Sequence, residues 1–177
     1  SGDHRDLHSV PTLRSSDLTG GLSIALIAGF AKAVELCFAD LDAEIAHLRT
    51  LSNYLLQKLE ENIPHLELNG PRGQTRAPHN INISIDYIEG EAITMMLDMQ
   101  GITVATGSAC ASQGLKANYI LMAMGKTHVQ SHGSMKFTLC RYNTREEIDA
   151  VVEALHKISE ELRERSPLYN ALKNQER

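Results

Sequence analysis

The sequence predicts an α/β fold in which a small sheet is covered by helices and preceded by two long ones. Two observations carry that expectation. Apolar residues recur at three- and four-residue multiples in two long stretches before residue 64 and in one after residue 144, the beat of helices with a buried face. Between them lie three short runs with strand character, two of which alternate apolar and polar residues. With 177 residues and 42% apolar side chains, the chain suits one compact domain. A domain of this length removes about 70% of its unfolded surface from water, so a core forms without disulfides.

Each element follows from its residues. Ser1 to Leu18 mixes Asp, His, Arg and Ser without an apolar period and is expected to be a tail with little fixed structure. It has no signal or transit pattern, and His8 to Leu18 resembles translated sequencing-adaptor sequence, so native sequence is expected to begin near Thr19. Ile24, Ile27, Ala28, Ala31, Val34 and Phe38 fall at helical spacing and predict a largely buried helix over Gly21 to Phe38. Asp40 or Asp42 caps the next helix, whose Ile45, Leu48, Leu55 and Leu59 form one face and which ends near Pro64. Gly70-Pro71-Arg72-Gly73 is a turn that opens a polar loop through Pro78.

Ile81, Ile83 and Ile85 alternate with Asn80, Asn82 and Ser84 and make the first strand. Glu91 to Met99 reads as a short helix and Ile102-Thr103-Val104-Ala105 as the second strand. A loop of almost wholly small residues, Thr106 to Gly114, is followed by a short helix with Tyr119, Met122 and Ala123 on one side and Gly125 at its end. Met135, Phe137 and Leu139 alternate with Lys136, Thr138 and Cys140 in the third strand. Thr144 and Glu147 form a capping box, and Ile148, Val151, Val152, Leu155, Ile158 and Leu162 give the final helix its stripe. The expected organisation is a tail over residues 1–18, a helical linker over about 19–63 and a small α/β domain over about 64–177.

Charge and cysteine usage exclude several function classes. The 17 basic against 22 acidic residues, a net charge of −5, argue against a nucleic-acid partner. Trp is absent and aromatics reach only 5%, which removes the usual stacking platform for single strands. No apolar run approaches the roughly 18 residues a membrane span needs. Three cysteines in a chain of this size indicate free thiols in a reducing compartment, and the expected location is the cytoplasm.

Cys110 is the sharpest chemical feature. It sits in a Gly, Ser and Ala loop after a predicted strand, where binding and catalytic groups are commonly mounted. On local sequence alone it is either a reactive thiol or an incidental one. Cys37 lies between Leu36 and Phe38 and is expected to pack as a small hydrophobe; Cys140 is expected in the core or behind the site. Cys110, Cys140, His128 and His132 lack the closely spaced pairs of zinc sites, so the histidines are read as exposed and no metal is expected. His156-Lys157 falls on the solvated face of the final helix.

Several motifs in one register carry a resemblance. Asn80-Ile81-Asn82-Ile83-Ser84, Glu89-Gly90-Glu91-Ala92, Gly107-Ser108-Ala109-Cys110-Ala111-Ser112, Tyr119 to Gly125, His132 to Cys140 and Tyr142 to Asp149 resemble the C-terminal part of a cysteine desulfurase. The likeness runs from about Thr19 to Tyr169. It implies the small C-terminal domain of a fold-type I transferase of the class V aminotransferase type, with a short, mainly antiparallel sheet. It also implies pyridoxal 5'-phosphate as cofactor, L-cysteine as substrate, a homodimeric enzyme and a sulfur-acceptor protein such as an iron–sulfur scaffold. Cys110 would attack the substrate's sulfur and hold it as a persulfide. A loop suits that role, because the sulfur must be collected in a closed pocket and delivered outside it.

Three departures accompany the resemblance. Where the family places an arginine against the substrate carboxylate, this sequence has Lys136, a point charge in place of a two-pronged fork; Arg141 lies five residues on. The family's Arg-Ser-Gly-Thr loop has its nearest analogue in Arg14-Ser15-Ser16-Asp17, where Asp17 would repel a phosphate. The Schiff-base lysine and the residues that hold the pyridine ring have no candidate here. The chain is therefore expected to be the C-terminal segment of a longer enzyme and to lack turnover alone, with apolar helical surface and self-association. Alternative readings are a sulfur-accepting or partner-binding module without catalysis, and a relative acting on selenocysteine.

Overall fold

The computed structural model describes residues 22–107 and 117–175. The expected tail at residues 1–18 and Cys110 lie outside the described residues. The chain divides into two units, the first ending at Leu41 and the second starting at Asp42.

The first unit contains α1 (Ile24–Ala39), a helix rich in Ala, Ile and Leu with one exposed ion pair, Lys32 to Glu35, at 2.8 Å. The helix forms as predicted, but it has no buried residue, which corrects the expectation of a largely buried element. Ile24, Phe30 and Phe38 are exposed, and so is Cys37. A helix cannot bury its own apolar face, so apolar spacing alone does not secure burial.

The second unit is built around a three-stranded antiparallel sheet in the order β1 (Leu66–Leu68), β2 (Asn80–Ile85), β3 (Ser134–Thr138). Ile83 of β2 faces Leu68 of β1 and Met135 of β3 across the register, and Ile81 faces Phe137. This apolar face meets Leu51, Leu55 and Leu59 of α2 (Leu41–Asn62), Ile93 and Leu97 of α3 (Gly90–Asp98), and Ile148, Val152, Leu155 and Ile158 of α6 (Arg145–Arg165) in one core. Each such aliphatic side chain, taken fully out of water, contributes about 1.5–3 kcal/mol. The mainly antiparallel sheet covered by helices is the architecture the sequence predicted.

Local signals set the element ends. In α6 the Thr144 side chain accepts the Glu147 N–H at 3.3 Å, and Glu147 accepts the Thr144 N–H at 3.1 Å, completing the predicted capping box. Arg163, buried near the end of α6, donates to the Pro64 carbonyl, tying that helix to the end of α2. Its burial lowers the guanidinium's pKa, against the raising influence of Tyr169, Glu160 and Asp86.

Other elements differ from the sequence reading. Residues 102–105 do not form a strand; Ala105 alone pairs, with Lys136. The stop of α3 explains this. Gly101 takes φ 78°, its N–H reaches the Asp98 carbonyl at 2.9 Å, and the Ile102 N–H folds back to Leu97 at 3.0 Å. Ile102 is thus consumed in closing the helix, which leaves too short a run for a ladder. Four elements went unpredicted: β1, a 3-10 turn at Gly73–Thr75, α5 (His128–His132) and α7 (Pro167–Gln175). The short helix at Tyr119 is present as α4 (Tyr119–Ala123), with Asn118 capping it through the Ile120 N–H at 3.0 Å.

Candidate functional site

The alternation that makes one face of the sheet apolar makes the other polar. Asn82 stands opposite Lys136, Ser84 opposite Ser134, and Glu67 of β1 opposite Ser84. Asn69, one residue past β1 and only 4% exposed, binds this face together. Its Nδ2 donates to Asn82 Oδ1 at 2.7 Å and to Ser84 Oγ at 2.9 Å, and its backbone N–H donates to the Asn82 carbonyl at 2.9 Å. Both branches share one side-chain amide, so the two strands are held in a fixed lateral position. The Oδ1 atoms of Asn69 and Asn80 are buried acceptors without a donor among the described residues.

Charges border the face. Arg76 donates to the carbonyls of Asn69, of Pro71 at 2.7 Å and of Asn80 at 3.2 Å, so its guanidinium serves the loop ahead of β2. Burial lowers its pKa, and Arg72 nearby adds to that effect. Lys126, mostly buried, forms an ion pair with Glu67. Lys136 is half-buried in the middle of β3.

Two glycines let the neighbouring helices close on this sheet. A Cβ on Gly133 would lie 2.4 Å from the Ile85 carbonyl oxygen, and one on Gly90 would lie 2.5 Å from that of Ser134. Gly133 in turn accepts the Ile85 N–H at 3.0 Å, so α5 ends directly against β2. Neither glycine needs a positive φ; both are required by contact.

Of the two site residues expected from the sequence, Lys136 lies on the polar-face register and Cys110 falls outside the described residues. The backbone leading into the Cys110 loop is nevertheless fixed beside Lys136. The Lys136 N–H donates to the Ala105 carbonyl at 2.6 Å, and the Ala105 N–H donates to the Lys136 carbonyl at 3.2 Å. Arg141 is committed elsewhere, in an ion pair with Glu44 of α2. Cys140 is exposed, which corrects its expected place in or behind the core. The strand ends at Thr138, and the Cys140 N–H turns to Asn143 Oδ1 at 2.8 Å.

The remaining candidates have separate surroundings. His128 and His132 lie side by side on α5 with ring centroids 5.3 Å apart and planes tilted by 38°, and no group of three or more metal-binding side chains gathers among the described residues. Lys157 pairs with Glu153 at 2.6 Å on the exposed side of α6, as the solvated-face reading expects. A cleft of about 470 Å³ bordered by Ile88, Val129, Leu162 and Leu168 is lined neither by Lys136 nor by Ala105. The sequence reading missed Asn69 and Lys126. Asn69 precedes a Gly-Pro turn and carries no periodic signal, whereas the polar beat of Asn80, Asn82 and Ser84 had already marked the face it serves.

Comparison with known proteins adds the family. Residues 12–151 match Aminotransferase class-V. The chain is 41% identical over 148 residues to cysteine desulfurase IscS of Dictyoglomus turgidum, covering 84% of this chain and 37% of that protein. It is 42% identical over 152 residues to cysteine desulfurase IscS of Clostridium botulinum, covering 85% and 38% respectively. The chain thus spans a little over a third of the length of these relatives. A NifS-like protein of Rickettsia africae has a similar fold, with a TM-score of 0.68 at 24% identity over 82% of this chain and 37% of that one. Both relatives carry the name of the family that the ordered motifs resemble.

Proposed function

Because the chain belongs to the aminotransferase class-V family, we propose that it forms part of a pyridoxal 5'-phosphate-dependent cysteine desulfurase whose Cys110 accepts the substrate's sulfur. In the net reaction the Cys110 thiolate forms a sulfur–sulfur bond as the carbon–sulfur bond of L-cysteine breaks. The electron pair of that bond stays with carbon and takes up the proton of the substrate thiol, so the products are a persulfide on Cys110 and alanine. Only the thiolate form of Cys110 is competent. The cofactor, when bound, supplies the delocalisation that makes this cleavage accessible.

One observation supports the reading most: the paired backbones of Ala105 and Lys136 start the Cys110 loop beside a cation on a polar strand face. Lys136 would meet the substrate carboxylate through one point charge, with looser orientation than a guanidinium gives. The described residues do not fit the role of holding the cofactor. Among the described lysines of the second unit, Lys126 is mostly buried and occupied by Glu67, Lys157 is paired with Glu153, and Lys136 stands at the position the family gives to a substrate-binding arginine. On the family resemblance, the anchoring lysine belongs to the large domain of the enzyme, outside this segment. The persulfide sulfur would pass to an acceptor protein of the iron–sulfur scaffold type, in the cytoplasm, from a homodimeric enzyme. No helix among the described residues is long and apolar enough to cross a membrane.

Treating the chain with a low-molecular-weight persulfide and mapping its thiols by mass spectrometry tests this. Transfer is expected on Cys110 in preference to Cys37 and Cys140, both of which are exposed. Equal modification of all three, or preference for Cys140, overturns the assignment. With L-cysteine and added pyridoxal phosphate, the chain by itself is expected to release no alanine.

A further inference from the structure

Two buried serines outside the expected site connect the ends of the loop that contains Cys110. Ser131, at the end of α5, is 4% exposed, and Ser134, the first residue of β3, is fully buried. The Ser131 hydroxyl oxygen accepts the Asn118 N–H at 2.9 Å, and Asn118 is the residue that caps α4 immediately after the loop. The Ser134 hydroxyl donates to the Ser131 carbonyl at 2.7 Å, with the Thr106 carbonyl at 3.4 Å as the weaker second acceptor. Two residues later the backbone of Lys136 exchanges two hydrogen bonds with Ala105.

The six residues 131–136 therefore hold the chain both before residue 107 and after residue 117. Gly90 makes the approach possible, because its missing side chain leaves room for the Ser134 carbonyl at 2.5 Å and for Thr106 Cγ2 at 3.1 Å. Buried hydroxyls are costly unless each is bonded, and here both are spent on joining loop ends instead of on the ladder.

We infer that Ser131 and Ser134 are positioning residues that clamp the two ends of the Cys110 loop together. Ser131 holds the Asn118 end, and Ser134 fixes the Ser131 backbone against β3 and Thr106. Four peptide steps separate Thr106 from Cys110, a span of at most about 14 Å, and eight steps separate Cys110 from Asn118, at most about 29 Å. The two anchors therefore bound the distance of Cys110 from Thr106 and from Asn118, whatever path the chain takes between them. The inference rests on the proposed role of Cys110, and its test is separable from that role.

The test uses the full chain with Ser131→Ala and, separately, Ser134→Ala, read by amide hydrogen exchange and by iodoacetamide labelling. In Ser131→Ala the Asn118 amide is expected to exchange at least about fivefold faster, the effect of losing one hydrogen bond, while the Ile83 amide in the sheet is unchanged. The ratio of Cys110 to Cys140 alkylation is expected to shift severalfold, with Ser131→Thr, which keeps the hydroxyl, restoring it. Unchanged Asn118 exchange in both alanine variants, or an alkylation ratio equal to that of the unsubstituted chain, overturns the clamp. If Ser131→Ala unfolds, seen as fast Ile83 exchange, Ser134→Ala decides alone. A shifted ratio in a chain whose Cys110 takes no persulfide keeps the clamp and removes the proposed function.

Discussion

The two faces of the sheet are made by alternate residues of the same strands, yet they are held by different physics. On one, Ile81, Ile83 and Ile85 with Met135 and Phe137 are sealed under three helices, and shape complementarity sets the cost of any change. On the other, the Asn69 amide bonds Asn82 and Ser84, with Ser134 and Lys136 in the same register, and the partners of each group set the cost. The difference teaches where adaptability resides. The apolar face resists change in volume, and the polar face resists the loss of a partner but retains unused acceptors on Asn69 and Asn80.

Substitutions on the two faces should break or sharpen that contrast. The largest effect is expected from Leu155→Ala on the sealed side, about 2–5 kcal/mol of stability in chemical denaturation, because the site is fully buried and leaves a cavity. A cost below about 1 kcal/mol would mean the core is looser than its packing indicates. Gly133→Ala follows at about 1–3 kcal/mol, since the new Cβ would meet the backbone oxygen of Ile85 and one helix end must move.

On the polar side Asn69→Ala is expected to cost about 1–2 kcal/mol, by leaving Asn82 and Ser84 without their donor. If the two faces are held differently, Asn69→Asp should be no milder despite its equal volume, because a carboxylate cannot donate to either partner. Thr144→Ala, away from both faces, should cost about 1 kcal/mol through the lost cap of α6.

Smaller still is a pH effect at that cap. The Asn143 side-chain amide, and then the Thr144 N–H, hold the Glu147 carboxyl below its ordinary value of 4.5. A depressed folded value means the ionised form favours folding. The contribution is present above the ordinary carboxyl range and is lost as pH falls through the lowered value. Asn143→Ala should thus lower the melting temperature more at pH 7 than well below pH 4, where only the loss of its bond from the Cys140 N–H remains, and an equal effect at both would refute the linkage. Lys136→Arg should leave stability nearly unchanged, within about 0.5 kcal/mol, while, under the proposed function, lowering KM for L-cysteine in the complete enzyme through a bidentate grip.

How much was legible depended on whether an element announces itself locally. The last helix was readable because Thr144 and Glu147 mark its start and Ile148 to Leu162 keep one period. The Asn80 to Ile85 strand was readable because its two faces differ so sharply. The strand at residues 66–68 is too short to show a period, and the helix at 167–175 has too few apolar residues to mark a stripe. Residues 102–105 had strand composition, but the helix stop at Gly101 claimed Ile102 first. For the site, the motifs raised Cys110 and Lys136 only as expectations, Cys110 lying outside the described residues, and alternation indicated a polar face. Asn69, Ser131 and Ser134 carried no signal, because their importance lies in partners up to 28 residues away.

The stop of the Gly90 helix also divides the next stretch of chain into two kinds of ground. Between Gly101 and Ala105 the backbone is fastened at both margins, at Leu97 and at Lys136, so an extra residue spliced in there would pucker locally and leave the downstream chain undisturbed. The same insertion placed after Gly107 would instead lengthen the tether between its two moorings, Thr106 and Asn118. A matched pair of such insertions, identical in composition and five or six positions apart, would turn tether length into an adjustable variable without touching a single side chain.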